Sequence, residues 1–253
     1  MDRKIRVGVV SYLNTKPLLY GIRRSSVLED IELIVDYPSK IATMLLEDEI
    51  DLGLVPVAII PQMKEYYLIG DYCISSDGPV ASVCLFSERP IEEIRTILLD
   101  YQSRTSVQMA RILVRKYWKI DPEFIDAGEE FRMQIKGAVA AVVVGDRALE
   151  QRRISPYIFD LGEAWKNFTG LPFVYAAWIS NKELDPEFQK NFNEANAFGL
   201  KHVDELIREQ PFQLYDLATY FSKNISYEFT AEKRKGMALF LELLKEPQGY
   251  TYI

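Results

Sequence analysis

The chain has 253 residues, 48% of them hydrophobic and 26% charged, which is typical of a folded globular protein. Its formal net charge is -7 and no cluster of Lys and Arg with interleaved aromatic residues stands out, so we expect no nucleic-acid partner. The longest apolar runs fall well short of the ~20 residues of a membrane-spanning helix, so we also expect no membrane segment.

The N-terminus and the cysteines narrow the class of protein further. The segment MDRKIRVGVV lacks the length and the small-residue cleavage site of a signal peptide, so the predicted location is the cytoplasm. Cys73 and Cys84 belong to no CxxC motif and are predicted to be small buried apolar side chains. The sequence has no dinucleotide fingerprint, P-loop, nucleophile elbow or metal-binding motif, so it predicts neither a metal nor a cofactor.

The first half of the chain alternates strand-like and helix-like segments. A strand in KIRVGVVSY precedes a helix from about Pro17, and a strand in IELIVDYP precedes a helix with Ser39 as its candidate N-cap. A further strand lies in IDLGLVPVAII. The next segment, YLIGDYCISSDGPVASVCLFSERP, is predicted to be an extended pair broken by a turn at 75–79. Such alternation implies parallel strands joined by crossover helices.

A second alternation begins beyond Pro90, and a strand-like run at 174–179 is followed by a tail that is predicted to be helical throughout. We therefore predict an α/β fold of two lobes with a ligand cleft between them. Residues 1–87 would form the first lobe and 88–174 the second lobe. Residues 175–253 would return to the first lobe and supply the C-terminal helices.

The lone histidine, His202, lies in a charged helical stretch. Histidine is the commonest general base near neutral pH. A single histidine among surface charges is nevertheless more typical of a surface or half-buried helix position. We therefore assign it no catalytic role.

Hydroxyl and amide side chains follow two predicted strands: Ser11, Asn14 and Thr15 after the first, and Ser103, Thr105 and Ser106 after TILLD. Each group opens a helix, where free N–H groups and a partial positive charge can hold a carboxylate. Simple helix capping is the alternative for Ser103 and Thr105. Because the net charge is negative, an anionic ligand would need such local donors. Asp146, after the strand that ends at Gly145, is predicted to be a cap, a ligand contact or both.

Several motifs occur in a characteristic order: SYLNTKPL, DLGLVPV, SSDGPVASVCLFS, SRTS, VVVGDRAL and DLGEAWKNFTGLPFVYAAW. Together they resemble the chorismate dehydratase family of the futalosine route to menaquinone, whose fold is that of type II periplasmic solute-binding proteins. The resemblance covers about 5–180 closely and the tail more loosely. It implies a carbon–oxygen lyase (a hydro-lyase) that eliminates water from chorismate, without a cofactor, to give 3-[(1-carboxyvinyl)oxy]benzoate.

The resemblance also implies roles for individual residues. Asn14 and Ser82 match the catalytic amide and the cleft serine of the family. Ser103, Thr105, Ser106, Gly145 and Asp146 are implied to bind substrate, and we expect Ser11, Thr15 and Gly78 to bind it as well. No side chain in these motifs looks like a dedicated base, so we expect the enolpyruvyl carboxylate of the substrate itself to remove the proton. The chain departs from the family pattern at the apolar turn 57–59 and at Arg147, a position that is often small.

Other functions fit the same pattern of residues. The sister enzyme of the pathway, which releases 1,4-dihydroxy-6-naphthoate, differs at the N-terminal motif. A non-catalytic protein that binds small anions could share the fold, since fold alone does not decide function. A ligand-sensing module would need an attached DNA-binding or signalling domain. The sequence makes no prediction of oligomeric state.

Overall fold

The computed structural model describes residues 4–209 and 212–246. Its strands are β1 (Ile5–Val10), β2 (Ile31–Asp36), β3 (Leu52–Pro56), β4 (Tyr67–Ser76), β5 (Val83–Ser87), β6 (Thr96–Leu99), β7 (Glu123–Asp126), β8 (Val139–Val144), β9 (Tyr157–Asp160), β10 (Phe173–Ser180) and β11 (Ser226–Glu228). Its α-helices are α1 (Lys16–Ile22), α2 (Val27–Asp30), α3 (Pro38–Leu46), α4 (Arg104–Leu113), α5 (Asp146–Gln151), α6 (Leu161–Thr169), α7 (Pro186–Lys201), α8 (Val203–Glu209), α9 (Leu217–Thr219) and α10 (Ala231–Leu243).

The chain divides into two compact units. The first contains the described residues up to Ser75 together with Tyr175–Thr230. The second contains Ser76–Val174 and the described residues from Ala231 onward. The chain therefore passes from one unit to the other three times.

The first unit is built on a six-stranded sheet with the order β11-β4-β10-β3-β1-β2. Strand β1 runs parallel to β2 and β3, whereas β10 is antiparallel to β3. Helices α1 and α7 pack closely because Gly21 and Gly199 face each other's backbones. A Cβ atom on Gly21 would overlap the carbonyl oxygen of Ala195, and one on Gly199 would overlap that of Pro17. This close approach fixes the helix that follows the first strand.

The second unit is built on a five-stranded sheet with the order β7-β6-β8-β5-β9. Strand β6 is parallel to β7 and β8, whereas β5 is antiparallel to β8 and β9. Buried residues on one part of the sheet, including Phe86 and Val143, pack on Phe131. A separate aromatic cluster joins α6, β10 and α10. In it the Trp165 ring lies 4.9 Å from Phe173 and 6.1 Å from Phe240, measured between ring centroids.

The predicted α/β class with two sheets is confirmed, but the units differ from the predicted lobes. The chain leaves the first unit after Ser75 rather than at 87/88, because β5 pairs with β8 and β9 in the second sheet. An apolar strand pattern does not identify the sheet that the strand joins. The second stretch of the first unit begins at Tyr175. Helix α10 nevertheless belongs to the second unit, since its Phe240 packs on Trp165 and Phe173.

Local predictions had mixed outcomes. The tail is not wholly helical, because β11 pairs antiparallel with β4. Helix α3 begins at Pro38 with Tyr37 as its N-cap, so Ser39 is not the cap. Proline favours the first helical position because its fixed φ suits the helix and its missing N–H costs nothing there. Cys73 and Cys84 are buried, as predicted. Among the described residues, no helix is both long and apolar enough to cross a bilayer.

His202 lies at the C-terminal end of α7, where it is half-buried, as predicted. Its ring stacks on that of Phe198 with centroids 4.0 Å apart. Its Nδ1 atom lies 2.7 Å from the carbonyl oxygen of Phe198. These contacts give His202 a structural role at the end of α7.

Candidate functional site

The turn after β1 presents the first group of predicted site residues. Ser11 is exposed, and its backbone N–H donates to the carbonyl oxygen of Asp36 at the end of β2 (3.2 Å). Leu13 and Thr15 are buried and anchor a single 3₁₀ turn that leads into α1. Asn14, between these two anchors, remains half-buried. The Asn14 side chain therefore keeps part of its surface exposed, while the buried side chains of its neighbours hold the backbone in place.

The contacts of Asn14 define which of its atoms are available. Its side-chain oxygen accepts a hydrogen bond from Thr15 Oγ1 (3.3 Å), and its backbone oxygen accepts one from the Tyr227 phenol (2.8 Å). Burial raises the pKa of Tyr227 well above its usual value, so the phenol keeps its proton and remains a donor. No side chain or backbone group in the described ranges accepts a hydrogen bond from the Asn14 amide nitrogen, which leaves this donor for solvent or a ligand.

The second group of predicted residues lies at one edge of the five-stranded sheet. Parallel strands β6 and β8 both end there, and antiparallel β5 begins there, since Val83 pairs with Val144. The backbone N–H of Gly145 donates to the carbonyl oxygen of Ser82 (2.8 Å). Ser82 is completely buried. The end of β8 and the start of β5 are thus joined directly at this edge.

Ser103 is the N-cap of α4, and its hydroxyl oxygen accepts from the backbone N–H of Ser106 (3.2 Å). Capping, the alternative considered for Ser103, is therefore correct for that residue. Thr105 lies in the first turn of the helix, not at the cap position. Thr105 and Ser106 are buried. The hydroxyl of the half-buried Ser103 can still donate to a ligand while its oxygen caps the helix.

Two glycines at this edge adopt backbone conformations that other residues avoid. Gly145 has φ 67° and ψ -148° and serves as the N-cap of α5. Asp146 is the first helical residue, half-buried, so its side chain is not the cap. The carboxylate beside the free N–H groups suits the helix dipole without capping it. Gly78, with φ 117°, is buried in the turn between β4 and β5.

Sequence reasoning missed the buried carboxylate of Asp100, which directly follows β6. It accepts hydrogen bonds from the backbone N–H groups of Gln102 (3.0 Å) and Val144 (3.1 Å). Arg147 Nη2 donates to both carboxylate oxygens at 2.8 and 2.7 Å. Burial raises the pKa of Asp100, and the positive charge of Arg147 opposes that rise. Arg147, noted as a departure from the family pattern, thus neutralises an internal carboxylate.

The apolar turn 57–59 is the start of a short 3₁₀ helix, Val57–Gln62, of which residues 57–60 are buried. It therefore provides packing at the end of β3. The described residues also contain no group of three or more His, Cys, Asp or Glu side chains placed to hold a metal ion.

Two further residues that sequence reasoning missed, Asp160 and Tyr227, hold backbone segments that carry predicted site residues. The Asp–Leu–Gly sequence at the end of a strand was the feature that could have identified Asp160. No feature of the sequence identifies Tyr227, because it is a lone tyrosine in a short strand.

The predicted site residues therefore form two groups, one in each unit. Ser11, Asn14 and Thr15 lie on one turn of the first unit. The second unit brings together Ser82, Ser103, Thr105, Ser106, Gly145 and Asp146 at one edge of its sheet, with Gly78 on the adjoining turn. Both groups combine hydroxyl or amide donors with backbone N–H groups at helix starts, a set suited to binding anions. The Asp146 carboxylate in the second group is an acceptor.

The fold of the chain is of the periplasmic-binding-protein type. It is similar to a protein of Archaeoglobus fulgidus, with a TM-score of 0.76 and 13% identity over 96% of this chain and 97% of that chain. It is also similar to the periplasmic aliphatic sulphonate binding protein of Escherichia coli, with a TM-score of 0.62 and 14% identity over 97% and 88%. A Candida albicans gene product described as having the generic periplasmic binding protein fold gives a TM-score of 0.62 at 14% identity, over 97% and 92%.

The match to known sequences is more specific than the fold. Residues 5–246 match the family model for menaquinone biosynthesis, and the chain belongs to that family. It is 25% identical to the chorismate dehydratase of Thermus thermophilus over an alignment of 265 positions that covers 95% of each chain. The predicted family resemblance is thereby confirmed.

Proposed function

We propose that this protein is a chorismate dehydratase, a hydro-lyase that converts chorismate to 3-[(1-carboxyvinyl)oxy]benzoate without a cofactor. The observation that carries the proposal is the 25% identity to a chorismate dehydratase across 95% of both chains, within the menaquinone biosynthesis family. The clusters of neutral donors at the strand ends of both units support it, because chorismate carries two carboxylates.

The reaction needs one carbon–oxygen bond and one carbon–hydrogen bond to break. The ring hydroxyl leaves with the bonding electrons, the adjacent ring carbon loses a proton, and the two combine as water. The remaining electron pair completes an aromatic ring, so no oxidant or reductant takes part. Because aromaticity favours the product, the protein has only to lower the barrier by orienting the reacting groups and stabilising the departing oxygen.

We assign substrate binding to two groups of residues, one on the turn after β1 and one at the edge of the five-stranded sheet. The N-terminus of α4, with Ser103, Thr105 and Ser106, supplies hydroxyl groups and free N–H groups for a carboxylate. Ser11 and Thr15 supply hydroxyl groups on the turn after β1. Gly78, Gly145 and Asp146 complete the set of residues that we assign to the substrate, and the Asp146 carboxylate can accept from the substrate hydroxyl but cannot donate. A net charge of -7 makes such local donors necessary for a dianion.

We assign the central catalytic role to Asn14. Its amide nitrogen can donate to the leaving hydroxyl or to a substrate carboxylate, and it does so without titrating. The enolpyruvyl carboxylate of the substrate then acts as the base for the neighbouring ring proton. Ser82, which precedes β5, is assigned as the second catalytic residue. Its buried hydroxyl lies 3.5 Å from the carbonyl oxygen of Val80 and can rotate to donate a hydrogen bond to the reacting oxygen.

The experiment is incubation of the purified protein with chorismate, followed by absorbance for the new aromatic product and by mass spectrometry for the loss of one water. A protein-free incubation is the control. Enzymatic formation of 3-[(1-carboxyvinyl)oxy]benzoate is the expected result. Bound chorismate recovered unchanged would indicate an anion-binding protein instead. Release of 1,4-dihydroxy-6-naphthoate from the cyclic futalosine derivative, with no reaction of chorismate, would indicate the sister activity.

A further inference from the structure

The turn that precedes Ser82 has an unfavourable backbone conformation. Ala81 has φ 62°, and the backbone N–H of Ser82 donates to the carbonyl oxygen of Val80 at 2.7 Å. A hydrogen bond between residues two apart, around a central residue of positive φ, is a γ-turn of the rare and strained kind. Ala81 is not a glycine, so this conformation costs free energy and persists only where the surroundings hold it.

The carboxylate of Asp160 holds this turn. Its Oδ2 atom accepts from the Ala81 N–H (2.8 Å), and its Oδ1 atom accepts from the Val80 N–H (3.0 Å). Oδ1 also accepts from the N–H groups of Gly162 (3.0 Å) and Glu163 (3.2 Å), so Asp160 is the N-cap of α6 as well. One nearly buried side chain therefore fastens the strained turn to the start of a helix.

Two cations support the same arrangement. Arg152 Nη1 lies 4.0 Å from Asp160 Oδ2 and 3.4 Å from the carbonyl oxygen of Ala81, to which it donates. Lys166, further along α6, pairs with Asp77 at the beginning of the turn (2.5 Å). The segment between β4 and β5 is thus fastened to α6 near both of its ends.

We propose that Asp160 is a positioning residue, whose carboxylate locks the Ala81 turn and thereby places Gly78 and Ser82. The inference rests on the proposed function, which assigns these two residues to substrate binding and catalysis. Ser82 in turn accepts from the Gly145 N–H at 2.8 Å, so the same lock reaches the end of β8. Asp160 acts through the backbone of this turn.

Asp160→Asn tests the lock without removing the helix cap. Asparagine is a good N-cap and keeps one acceptor oxygen for α6. Its NH₂ group, however, would face the N–H of Ala81, where two donors oppose each other. We expect kcat/KM for chorismate to fall by about 10- to 100-fold, because a displacement of about 1 Å has this effect on reacting groups. The melting transition should remain cooperative.

Asp185→Asn is the matched control. Asp185 is the N-cap of α7 and accepts from the N–H groups of Glu187 and Phe188. The chemical change and the role as an N-cap are the same as in Asp160→Asn, but Asp185 does not hold a segment that carries a predicted site residue. We expect its kcat/KM to stay within about twofold of the wild type, a change well under 1 kcal/mol. Equal kcat/KM values for Asp160→Asn and Asp185→Asn would overturn the proposal.

A second substitution separates positioning from a general loss of structure. Ala81→Gly in the Asp160→Asn background removes the steric cost of positive φ, so the turn can form with less support. We expect this double variant to recover at least about threefold in kcat/KM over Asp160→Asn, because relief of a strained backbone conformation is of that order. A double variant no more active than Asp160→Asn would contradict the role assigned to the strained turn.

Hydrogen exchange distinguishes failure of this inference from failure of the proposed function. If the wild type does not convert chorismate, the proposed function is wrong, but the lock can still be measured in the same proteins. We expect the amides of Val80 and Ala81 to exchange at least about tenfold faster in Asp160→Asn than in Asp185→Asn, since local opening sets the exchange rate. Unchanged exchange at both amides would overturn the inference whatever the activity.

Discussion

The phenol of Tyr227, on β11, donates a 2.8 Å hydrogen bond to the main-chain oxygen of Asn14, which lies 213 positions earlier in the chain. Strand β11 is itself held to β4, where the Ser75 hydroxyl donates to the carbonyl oxygen of Ser226. The returning C-terminal segment therefore fixes the turn that carries the proposed catalytic amide. Both ends of this link lie in the first unit.

Tyr227→Phe removes this hydrogen bond and little else. We expect the free energy of unfolding to fall by about 1 kcal/mol, because the Asn14 carbonyl loses its partner. We expect kcat for chorismate to fall by about tenfold, with a smaller change in KM, since the reacting amide is no longer held in place.

Tyr67→Phe is the control for this prediction. The Tyr67 phenol donates to the exposed carboxylate of Glu65 (2.6 Å), away from the predicted site residues. The same atom is removed, so any general effect of losing a phenol appears in both variants. Steady-state kinetics measure kcat for both variants. Equal kcat values for Tyr227→Phe and Tyr67→Phe would contradict the positioning role of Tyr227.

Gly199→Ala should loosen the packing of α7 against α1, the helix that follows the Asn14 turn. The added methyl group would overlap the carbonyl oxygen of Pro17 and crowd the backbone nitrogen of Gly21. Alanine in a helix is normally favoured over glycine by about 1 kcal/mol. We nevertheless expect a loss of about 2 kcal/mol in the free energy of unfolding, since overpacking moves the backbone.

Urea denaturation of Gly199→Ala and Gly128→Ala measures this difference. A Cβ atom at Gly128 meets nothing within 4 Å, so that variant should change the free energy of unfolding by no more than about 0.5 kcal/mol. A Gly199→Ala protein as stable as the wild type would show that the two helices can separate at little cost.

Arg147→Met should leave the buried carboxylate of Asp100 without its cation. We expect a loss of about 3 kcal/mol at neutral pH, which is the usual effect of removing one partner from a buried ion pair. Arg89→Met is the control, because the Arg89–Glu93 pair is exposed and contributes less than about 1 kcal/mol.

The penalty of Arg147→Met should depend on pH. Burial raises the pKa of Asp100. An acid with a raised pKa adds stability below its unfolded pKa and loses that stability as the pH rises through its folded pKa. Without Arg147 the folded pKa rises further, so the penalty should be greatest at neutral pH and shrink as the pH falls and Asp100 takes up a proton. A penalty that stays constant as the pH falls would contradict the assignment.

Much of the fold follows from local patterns in the sequence, but the partners of each strand do not. The apolar run at 83–87 predicts β5 correctly, yet its place in the second sheet depends on pairing with β8 and β9, far along the chain. Strand β11 has only three residues, too few for a period to be recognised. Contacts between distant segments, which no local pattern encodes, decide both cases.

The candidate site shows the same division. The clustering of Ser103 and Gly145 at one sheet edge could be predicted, because adjacent parallel strands bring their carboxyl ends together. The supporting carboxylates could not, since an aspartate at a strand end is also a common turn residue. Only the structure shows that Asp100 accepts hydrogen bonds from Arg147 and that Asp160 accepts one from the backbone N–H of Ala81.

The most direct test of the proposed chemistry is single-turnover conversion of chorismate by wild type and Asn14→Ala, with binding of chorismate measured on both. Asn191→Ala, which changes a half-buried amide on α7, is the control. We predict that the wild type and Asn191→Ala form the aromatic product, whereas Asn14→Ala binds chorismate and leaves it unconverted. Conversion by Asn14→Ala at a rate near that of the wild type would contradict the account.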